Sequence, residues 1–226
     1  MKKSSKIKLI VMSHPDDAEL SCGGSVVKWT QRDDVYYIIV SSGEKGSWDK
    51  KESVFDIGKK REKEAIKAAD YLGVKKVIFL KYSDGDVVEV KTLKLEIAAL
   101  IRYIKPDTIV THDPLWSRYF HPDHRATAHA AIEGAMIARE WHFYPFLREI
   151  GLPPHRPGEL LLTPTDRPTI INDITNTIDK KVESMKFHKS QVKQLPEWEQ
   201  RIRDFARIVG EKAGFEYGEG FYRIQL

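Results

Sequence analysis

The chain has little cysteine and no long apolar run. Its single cysteine, Cys22, cannot form an internal disulfide, so stability must come from a buried core, as in a reducing compartment. No apolar stretch approaches the roughly 18 residues that a membrane span needs, and the apolar segment behind the basic N-terminus is too short for a secretory signal. We therefore expect a cytoplasmic protein with no membrane partner.

Charge of one sign is also missing. The 226 residues include 37 Lys and Arg against 33 Asp and Glu, which gives a formal net charge of +4. This mild and evenly spread excess does not require nucleic acid as a partner. With 41% hydrophobic and 31% charged residues, the composition is that of a globular protein. We expect one domain over residues 1–226, with an excursion at about 144–168 where proline is frequent.

Short β-branched apolar runs alternate with segments of helical spacing. This alternation predicts βαβ units and hence an α/β fold, a Rossmann-like three-layer sandwich with a mostly parallel sheet. The predicted strands are 7–12, 35–40, 77–80, 108–111, 159–162 and 170–174. The predicted helices are 25–32, 58–72, 93–104, 122–139, 177–191 and 197–213. Gly73 and Pro106 are the clearest helix stops.

Two clusters of acidic and histidine residues follow predicted strands. The first, directly after strand 7–12, contains His14, Asp16, Asp17 and Glu19; the second, after strand 108–111, contains His112, Asp113, His121, Asp123 and His124. Ligands bind at the carboxyl ends of strands in parallel α/β folds. We therefore expect the two clusters to converge, as the ligands of a metal site must.

Imidazole nitrogen and carboxylate oxygen suit zinc, and a catalytic zinc keeps three protein ligands and one open position. The economical assignment is His14, Asp17 and His124 as ligands. Asp16 then remains free, near the metal but not on it, and is the candidate general base for a water molecule. Taken alone, the first cluster could equally be a turn whose aspartates cap the following helix.

The two clusters also match a known family. His14 to Glu19 (HPDDAE) and His121 to His124 (HPDH) resemble the paired signatures of the PIG-L/LmbE-like zinc-dependent N-deacetylases. Supporting similarities are SGEKG at 42–46, Arg61 with Glu64, HKSQ at 188–191 and GEGF at 218–221, the last two resembling the bacillithiol-pathway branch. The resemblance extends along the whole chain and implies the same zinc ligands and the same base.

The resemblance implies further roles. His121 would stabilise the oxyanion or donate a proton, and Asp123 would orient or charge-stabilise His121. Arg61 and Asp84 would hold the sugar or the carbonyl side of the substrate, although Arg61 alone reads as part of a basic helix face and Asp84 as a turn residue. The implied partner is a small N-acetylated amino sugar, and the implied assembly is a homo-oligomer, either a trimer or a hexamer.

Three functions other than a zinc-dependent deacetylase of an amino sugar are compatible with parts of this sequence pattern. A zinc hydrolase of a non-sugar acyl amide stays open, because loop composition does not exclude it. A nucleotide-binding module is disfavoured, because G-x-G-x-x-G is absent and the acidic residues after the first strand would repel a pyrophosphate. A non-catalytic zinc or ligand-binding protein is disfavoured because a structural site would need a fourth ligand and no spare base.

Overall fold

The computed structural model describes residues 5–87, 92–118 and 121–226. Its strands are β1 (Ile7–Met12), β2 (Asp34–Ser41), β3 (Lys76–Tyr82), β4 (Thr108–Thr111), β5 (Glu159–Leu162), β6 (Ile170–Asp173) and β7 (Gly218–Gln225). Its helices are α1 (Asp17–Trp29), α2 (Val54–Leu72), α3 (Leu93–Ile104), α4 (Pro122–Arg139), α5 (Phe146–Glu149), α6 (Ile178–Met185), α7 (Lys189–Val192) and α8 (Trp198–Glu211). Among the described helices none is long and apolar enough to cross a membrane.

The strands form one mixed sheet in the order β3-β2-β1-β4-β5-β7-β6. Strands β1 to β5 are parallel to one another, whereas β7 pairs antiparallel with both β5 and β6. Helices cover both faces, so the predicted Rossmann-like α/β fold is confirmed.

The order of the sheet reverses at β1, which lies between β2 and β4. Val11 of β1 pairs with Thr111 of β4, so the chain leaves both strands at the same edge of the sheet. The backbone N–H of Ser13 donates to His112 Nε2 at 3.2 Å and joins the two exits. A crevice outside the strand ends at such a reversal is where α/β sheets bind ligands, and both polar clusters begin there.

The centre of the sheet is buried on both faces. Leu9 and Val11 pack toward α3 and α4, while Ile10 and Met12 pack toward α1 and α2, and all four are at most 1% exposed. This is why β1 reads as a continuous apolar run and not as an alternating one. Truncating such a side chain to alanine costs roughly 2–5 kcal/mol, so the strands that carry the site are held rigidly.

Helix α1 begins earlier than the predicted helix 25–32. It starts at Asp17 and continues through a kink at Cys22, where φ is −145° and ψ is 20°. A Cβ on Gly24 would lie 2.8 Å from Ile174 Cβ, so this glycine allows α1 to approach the segment after β6. The glycine pair therefore marks a close packing contact and not the start of the helix.

The C-terminal region differs more. The predicted helix 177–191 is two helices, α6 and α7, because His188 turns into the interior, where it is fully buried. Strand β7 was not predicted: it begins with two glycines in three residues, and its place depends on pairing with β5 and β6. Local pattern carries little signal for such a strand.

Candidate active site

The first cluster forms a tight turn between β1 and α1. Asp16 occupies the N-cap position of α1 without a capping hydrogen bond from its side chain. Its φ of 104° is a left-handed backbone that costs a non-glycine residue of order 1–3 kcal/mol. Asp17 is the first residue of the helix, and its Oδ2 accepts the backbone N–H of His14 at 2.8 Å. The turn thus points the two neighbouring carboxylates in different directions.

Three potential ligand atoms form a nearly regular triangle. His14 Nδ1 lies 3.1 Å from His124 Nε2 and 3.4 Å from Asp17 Oδ2, and the last two atoms are 3.3 Å apart. Zinc bonds of about 2.0–2.1 Å at tetrahedral angles place ligand atoms roughly 3.3 Å apart. The nitrogen, nitrogen and oxygen atoms therefore fit one face of a zinc tetrahedron.

Other histidines lie close enough to join a metal group, notably His112 and His121. His112 Nε2 is 3.4 Å from Asp17 Oδ2, but it accepts the N–H of Ser13. His121 Nδ1 likewise accepts the N–H of Asp123 at 3.3 Å. Because a ring nitrogen has one lone pair, these two atoms are already used, which favours His14, Asp17 and His124 as the donor set.

The second ring nitrogen of His14 faces two carboxylates. Nε2 lies 3.2 Å from both Asp84 Oδ1 and Asp123 Oδ2. Burial opposes protonation of His14, but hydrogen bonds to Asp123, Asp17 and Asp84 outweigh it and hold its pKa well above the usual value. For Asp84, burial is outweighed by the bond to His14, and its pKa falls to about 2. Carboxylates on the remote nitrogen fix the orientation of a ligating imidazole.

The sequence predicts that Asp123 orients or charge-stabilises His121, and the negative charge of Asp123 does act to raise the pKa of His121 against burial and His14. The Asp123 carboxylate contacts His14 and accepts the N–H of Gly85 at 2.7 Å and of Val87 at 3.3 Å. Its contact with His121 runs through the backbone, because the His121 side chain caps the N-terminus of α4. Asp123 lies in the first turn of α4, which packs against β1, so its fully buried side chain reaches the first cluster.

His121 presents a donor to the site. With Nδ1 accepting a backbone N–H, the proton of the neutral ring resides on Nε2. Burial and the neighbouring His14 lower the pKa of His121, so the ring is neutral at pH 7. Its centroid lies 4.7 Å from that of His14 in an edge-on arrangement.

Asp16 lies beside the triangle and against Arg61. Burial raises the pKa of Asp16 to about 6, opposed by the positive charge of Arg61 and reinforced by the negative charge of Asp17. Arg61 extends from α2 and is only 5% exposed. Its Nη2 lies 3.4 Å from Asp16 Oδ2 and donates to the carbonyl of Pro15 at 2.8 Å.

The triangle opens into a polar cavity of about 480 Å³. Of the eight residues predicted for the site, seven line it: His14, Asp16, Asp17, Arg61, Asp84, His121 and His124. The eighth, Asp123, lies behind His14. The other lining residues are Leu20, Lys45, Gly46, Trp48, Gly85, Gln191, Gln194 and Leu195. The clusters after β1 and β4 therefore do converge.

Two buried histidines were not predicted as part of the site. His112 stacks on His124 with ring centroids 4.1 Å apart. Its position directly after β4 is the sequence feature that could have placed it in the site. His188 Nε2 lies 3.3 Å from Glu19 Oε2. Its position under α1 follows from the break between α6 and α7, which local sequence does not reveal.

Residues 9–135 match the family model of PIG-L, described as GlcNAc-PI de-N-acetylase. The chain belongs to the PIG-L family. The resemblance seen in the two motifs is thereby confirmed, and the protein is a deacetylase, a hydrolase of amide bonds.

Relatives in the PIG-L family include sugar deacetylases. The chain is 30% identical to a diacetylchitobiose deacetylase of Thermococcus kodakarensis, over 94% of this chain and 80% of the relative. It is 27% identical to a probable N-acetyl-alpha-D-glucosaminyl L-malate deacetylase 2 of Bacillus anthracis, over 84% and 83%. The N,N'-diacetylchitobiose deacetylase of Pyrococcus horikoshii, solved with an inhibitor, superposes with a TM-score of 0.93 at 31% identity, covering 98% of this chain and 85% of that one.

Proposed function

We propose that this chain is a zinc-dependent N-deacetylase that removes the acetyl group of a small molecule containing N-acetylglucosamine, releasing acetate and the free amino sugar. The observation that carries the proposal is the triangle of His14 Nδ1, Asp17 Oδ2 and His124 Nε2, with the Asp16 carboxylate beside it and outside the ligand set. A metal ligand set with an adjacent base and one open side is what hydrolysis of an amide requires.

We assign His14, Asp17 and His124 as the zinc ligands. Two nitrogens and one carboxylate oxygen suit zinc, and the edges of 3.1 to 3.4 Å support this choice. Bound there, zinc would polarise the acyl carbonyl and lower the pKa of a water molecule to roughly 7. Asp84 and Asp123 hold the His14 ring from its far side.

Asp16 is the proposed general base. A carboxylate with a pKa of about 6 is ionised at pH 7 and still basic enough to accept the proton of the attacking water. The same group can then return that proton to the departing amine. Arg61 fixes the carboxylate in place through its contacts with Asp16 and Pro15.

His121 is the proposed donor to the developing oxyanion. Its Nε2–H takes no part in capping α4. Because the neutral ring carries its proton on Nε2, that atom can donate a hydrogen bond to the oxyanion. One such donor contributes roughly 3–4 kcal/mol to catalysis in comparable sites.

The polar cavity is the proposed sugar site. Its wall offers carboxylate, guanidinium, ammonium and amide groups, which match the hydroxyls of a hexose. The exposed ring of Trp48 at its edge supplies an apolar face on which a sugar can stack. Relatives named as deacetylases of diacetylchitobiose and N-acetylglucosaminyl malate support this substrate class.

The test is acetate release from N-acetylglucosamine, diacetylchitobiose and N-acetylglucosaminyl malate. The purified protein is stripped of metal and then resupplied with zinc or with magnesium as a control. We expect release with zinc and none without metal, and the Asp16→Asn variant should bind zinc but lose most turnover. If no acetate is released from any of the three while zinc is bound, the proposal fails.

We further place the protein in the cytoplasm as a homo-oligomer. The lone, buried Cys22 supports a reducing compartment. Trp141, Phe143, Phe146 and Ile150 are between 46% and 66% exposed and close in sequence, which supports a covered surface in an assembly. Light scattering during gel filtration measures the mass, and a monomer at micromolar concentration would contradict the second assignment.

A further inference from the structure

A second cavity, of about 250 Å³, adjoins the ligand triangle at Asp17 and His124; it is lined by His112, whereas the polar cavity is lined by His14. The two cavities share four lining residues: Asp17, Leu20, His124 and Leu195. They therefore meet at the atoms proposed to hold the metal, and together they form one path with the reacting centre between its ends.

The second cavity is lined in part by Ser21, Lys181 and Arg201, but its walls are mostly apolar. They come from the C-terminal helices and from the loop after β4, and they include Trp116, Met185, Val192, Trp198, Ile202 and Phe205. Trp116 and Phe205 meet edge-on with centroids 6.4 Å apart. We call this space the apolar cavity.

Lys181 also lines the apolar cavity, but its charge is satisfied. Its Nζ pairs with Glu219 Oε1 at 2.5 Å and donates to the carbonyl of Leu20 at 2.8 Å, and both charged side chains are at most 4% exposed. The lysine therefore contributes its hydrocarbon stem to the wall.

The two cavities correspond to the two sides of an amide bond. When the carbonyl lies at the ligand triangle, the amine side of the substrate extends one way and the acyl side the other way. The polar cavity suits the sugar, so the acyl substituent points into the apolar cavity. A cavity of roughly 150 Å³ binds benzene, so the methyl group of an acetyl would leave most of 250 Å³ unfilled.

We propose that the apolar cavity is an acyl-chain site, and that the preferred substrate is an N-acyl amino sugar whose acyl group has roughly four to eight carbons, linear or aromatic. This inference rests on the proposed function and extends it from acetyl to longer acyl groups. In the reaction, water oxygen bonds to the acyl carbon, the C–N bond breaks with its electron pair on nitrogen, and nitrogen takes the proton held by Asp16. The products are a fatty or aromatic carboxylate and the free amino sugar.

The experiment compares N-acetyl, N-butanoyl, N-hexanoyl and N-benzoyl glucosamine with the zinc-loaded protein, measuring release of glucosamine. Burying a methylene group contributes up to roughly fourfold in binding. We expect kcat/KM for the hexanoyl compound to exceed that for the acetyl compound by about 10-fold or more.

Filling the cavity tests its location. Ile202→Trp and Val192→Trp introduce bulk at two points of the wall, on α8 and α7. Both should lower the hexanoyl-to-acetyl ratio of kcat/KM toward one, with acetyl turnover as the internal measure of folded enzyme. Ile208→Trp is the matched control, because Ile208 lies on α8 with 52% of its surface exposed; it should leave the ratio unchanged.

Each outcome separates the two proposals. Turnover of the acetyl compound alone overturns the acyl-chain site and leaves the deacetylase function standing. No turnover of any compound with zinc bound overturns the deacetylase function itself. If kcat/KM rises for an octyl glycoside of N-acetylglucosamine but not for the hexanoyl amide, the apolar cavity binds an aglycone. The acyl-chain site is then also overturned.

Discussion

The guanidinium of Arg61 holds the backbone on which the Asp16 carboxylate is mounted. Nη2 of Arg61 donates to the carbonyl of Pro15 at 2.8 Å and lies 3.4 Å from Asp16 Oδ2. Nη1 donates to the carbonyl of Gly43 at 2.8 Å, which ties the loop after β2 to the loop after β1. These contacts make Arg61 a positioning residue for the proposed base, in addition to the substrate role that the sequence predicts for it.

Replacing Arg61 with methionine should therefore act through Asp16. We expect kcat to fall about 100-fold, as a displacement of roughly 1 Å of a catalytic group can do. The charge of Arg61 also lowers the pKa of Asp16, so its loss raises that pKa and moves the acid limb of the pH profile of kcat/KM to higher pH. The pH profile and the bound zinc, measured by atomic absorption, are the two readouts.

Lys63→Met is the control for the Arg61 variant, because Lys63 is an exposed cation on the same helix. It should leave both kcat and the pH profile unchanged. A rise in KM for Arg61→Met with kcat and the pH profile intact would contradict the positioning role and assign Arg61 to substrate contact alone.

Gly43→Ala should displace the side chain of Arg61 without changing the chemical nature of its guanidinium group. A Cβ at Gly43 would overlap the guanidinium of Arg61, and the backbone there has φ of +63°. Gly151→Ala is the matched control, with φ of +85° and open space around the added Cβ. Both variants should lose about 1 kcal/mol in urea unfolding from the left-handed backbone, but only Gly43→Ala should lower kcat. Equal kcat values in the two variants would contradict the account.

The sequence predicts the centre of this fold well and its C-terminal part poorly. Strand β1 is predictable because both its faces are buried, which gives a continuous apolar run. The end of α2 is predictable because Gly73 adopts the left-handed conformation of a helix C-cap, with φ of 80°. Strand β7 is not predictable, because two glycines and the charged residues Glu219 and Arg223 interrupt its apolar residues. Its place in the sheet depends on pairing with β5 and β6, which leaves no local pattern.

The same division holds at the site. His14, Asp17 and His124 are predictable because each follows a strand end at the reversal of the sheet. The hydrogen-bond contact between the carboxylate of Asp123 and His14 is not predictable, since the direction of a side chain at a helix start depends on the packing of α4 against β1. The apolar cavity is invisible in the sequence because its walls belong to distant segments, such as Trp116 and Phe205.

Asp123→Asn should weaken metal binding. The carboxylate lies 3.2 Å from His14 Nε2, and carboxylates in this position raise the basicity of a ligating histidine. We expect zinc affinity to fall roughly 10- to 100-fold, measured by competition with a chromogenic chelator. Asp113→Asn is the matched control: Asp113 is also buried, but its carboxylate accepts from Thr165 and Leu115. Unchanged affinity in Asp123→Asn would show that the carboxylate does not support the ligand.

Zinc binding should release a proton at pH 7, and His14 is its source. The pKa of His14 lies well above its usual value of 6.5, because hydrogen bonds to three carboxylates outweigh burial, so the metal-free protein holds this proton at pH 7. Burial lowers the pKa of His124 to about 3. Burial would raise the pKa of Asp17, but the attraction of His124 and the hydrogen bonds from His112 and His14 outweigh it and hold that pKa well below its usual value, so neither group contributes a proton.

A ligating imidazole must be neutral, so binding displaces about one proton from His14. Zinc affinity should accordingly rise about tenfold per pH unit below the His14 pKa and level off above it. Because the pKa of His14 is higher in the folded than in the unfolded protein, protonated His14 stabilises the metal-free fold below pH 6.5. This contribution is lost as the pH rises through the raised pKa. Calorimetric titration with zinc in buffers of different ionisation enthalpy measures the released protons. The Asp123→Asn variant should release fewer protons, because it lacks the hydrogen bond that contributes most to raising the pKa of His14. Equal proton release from the two proteins, or no release at pH 7, would contradict His14 as the source of the proton.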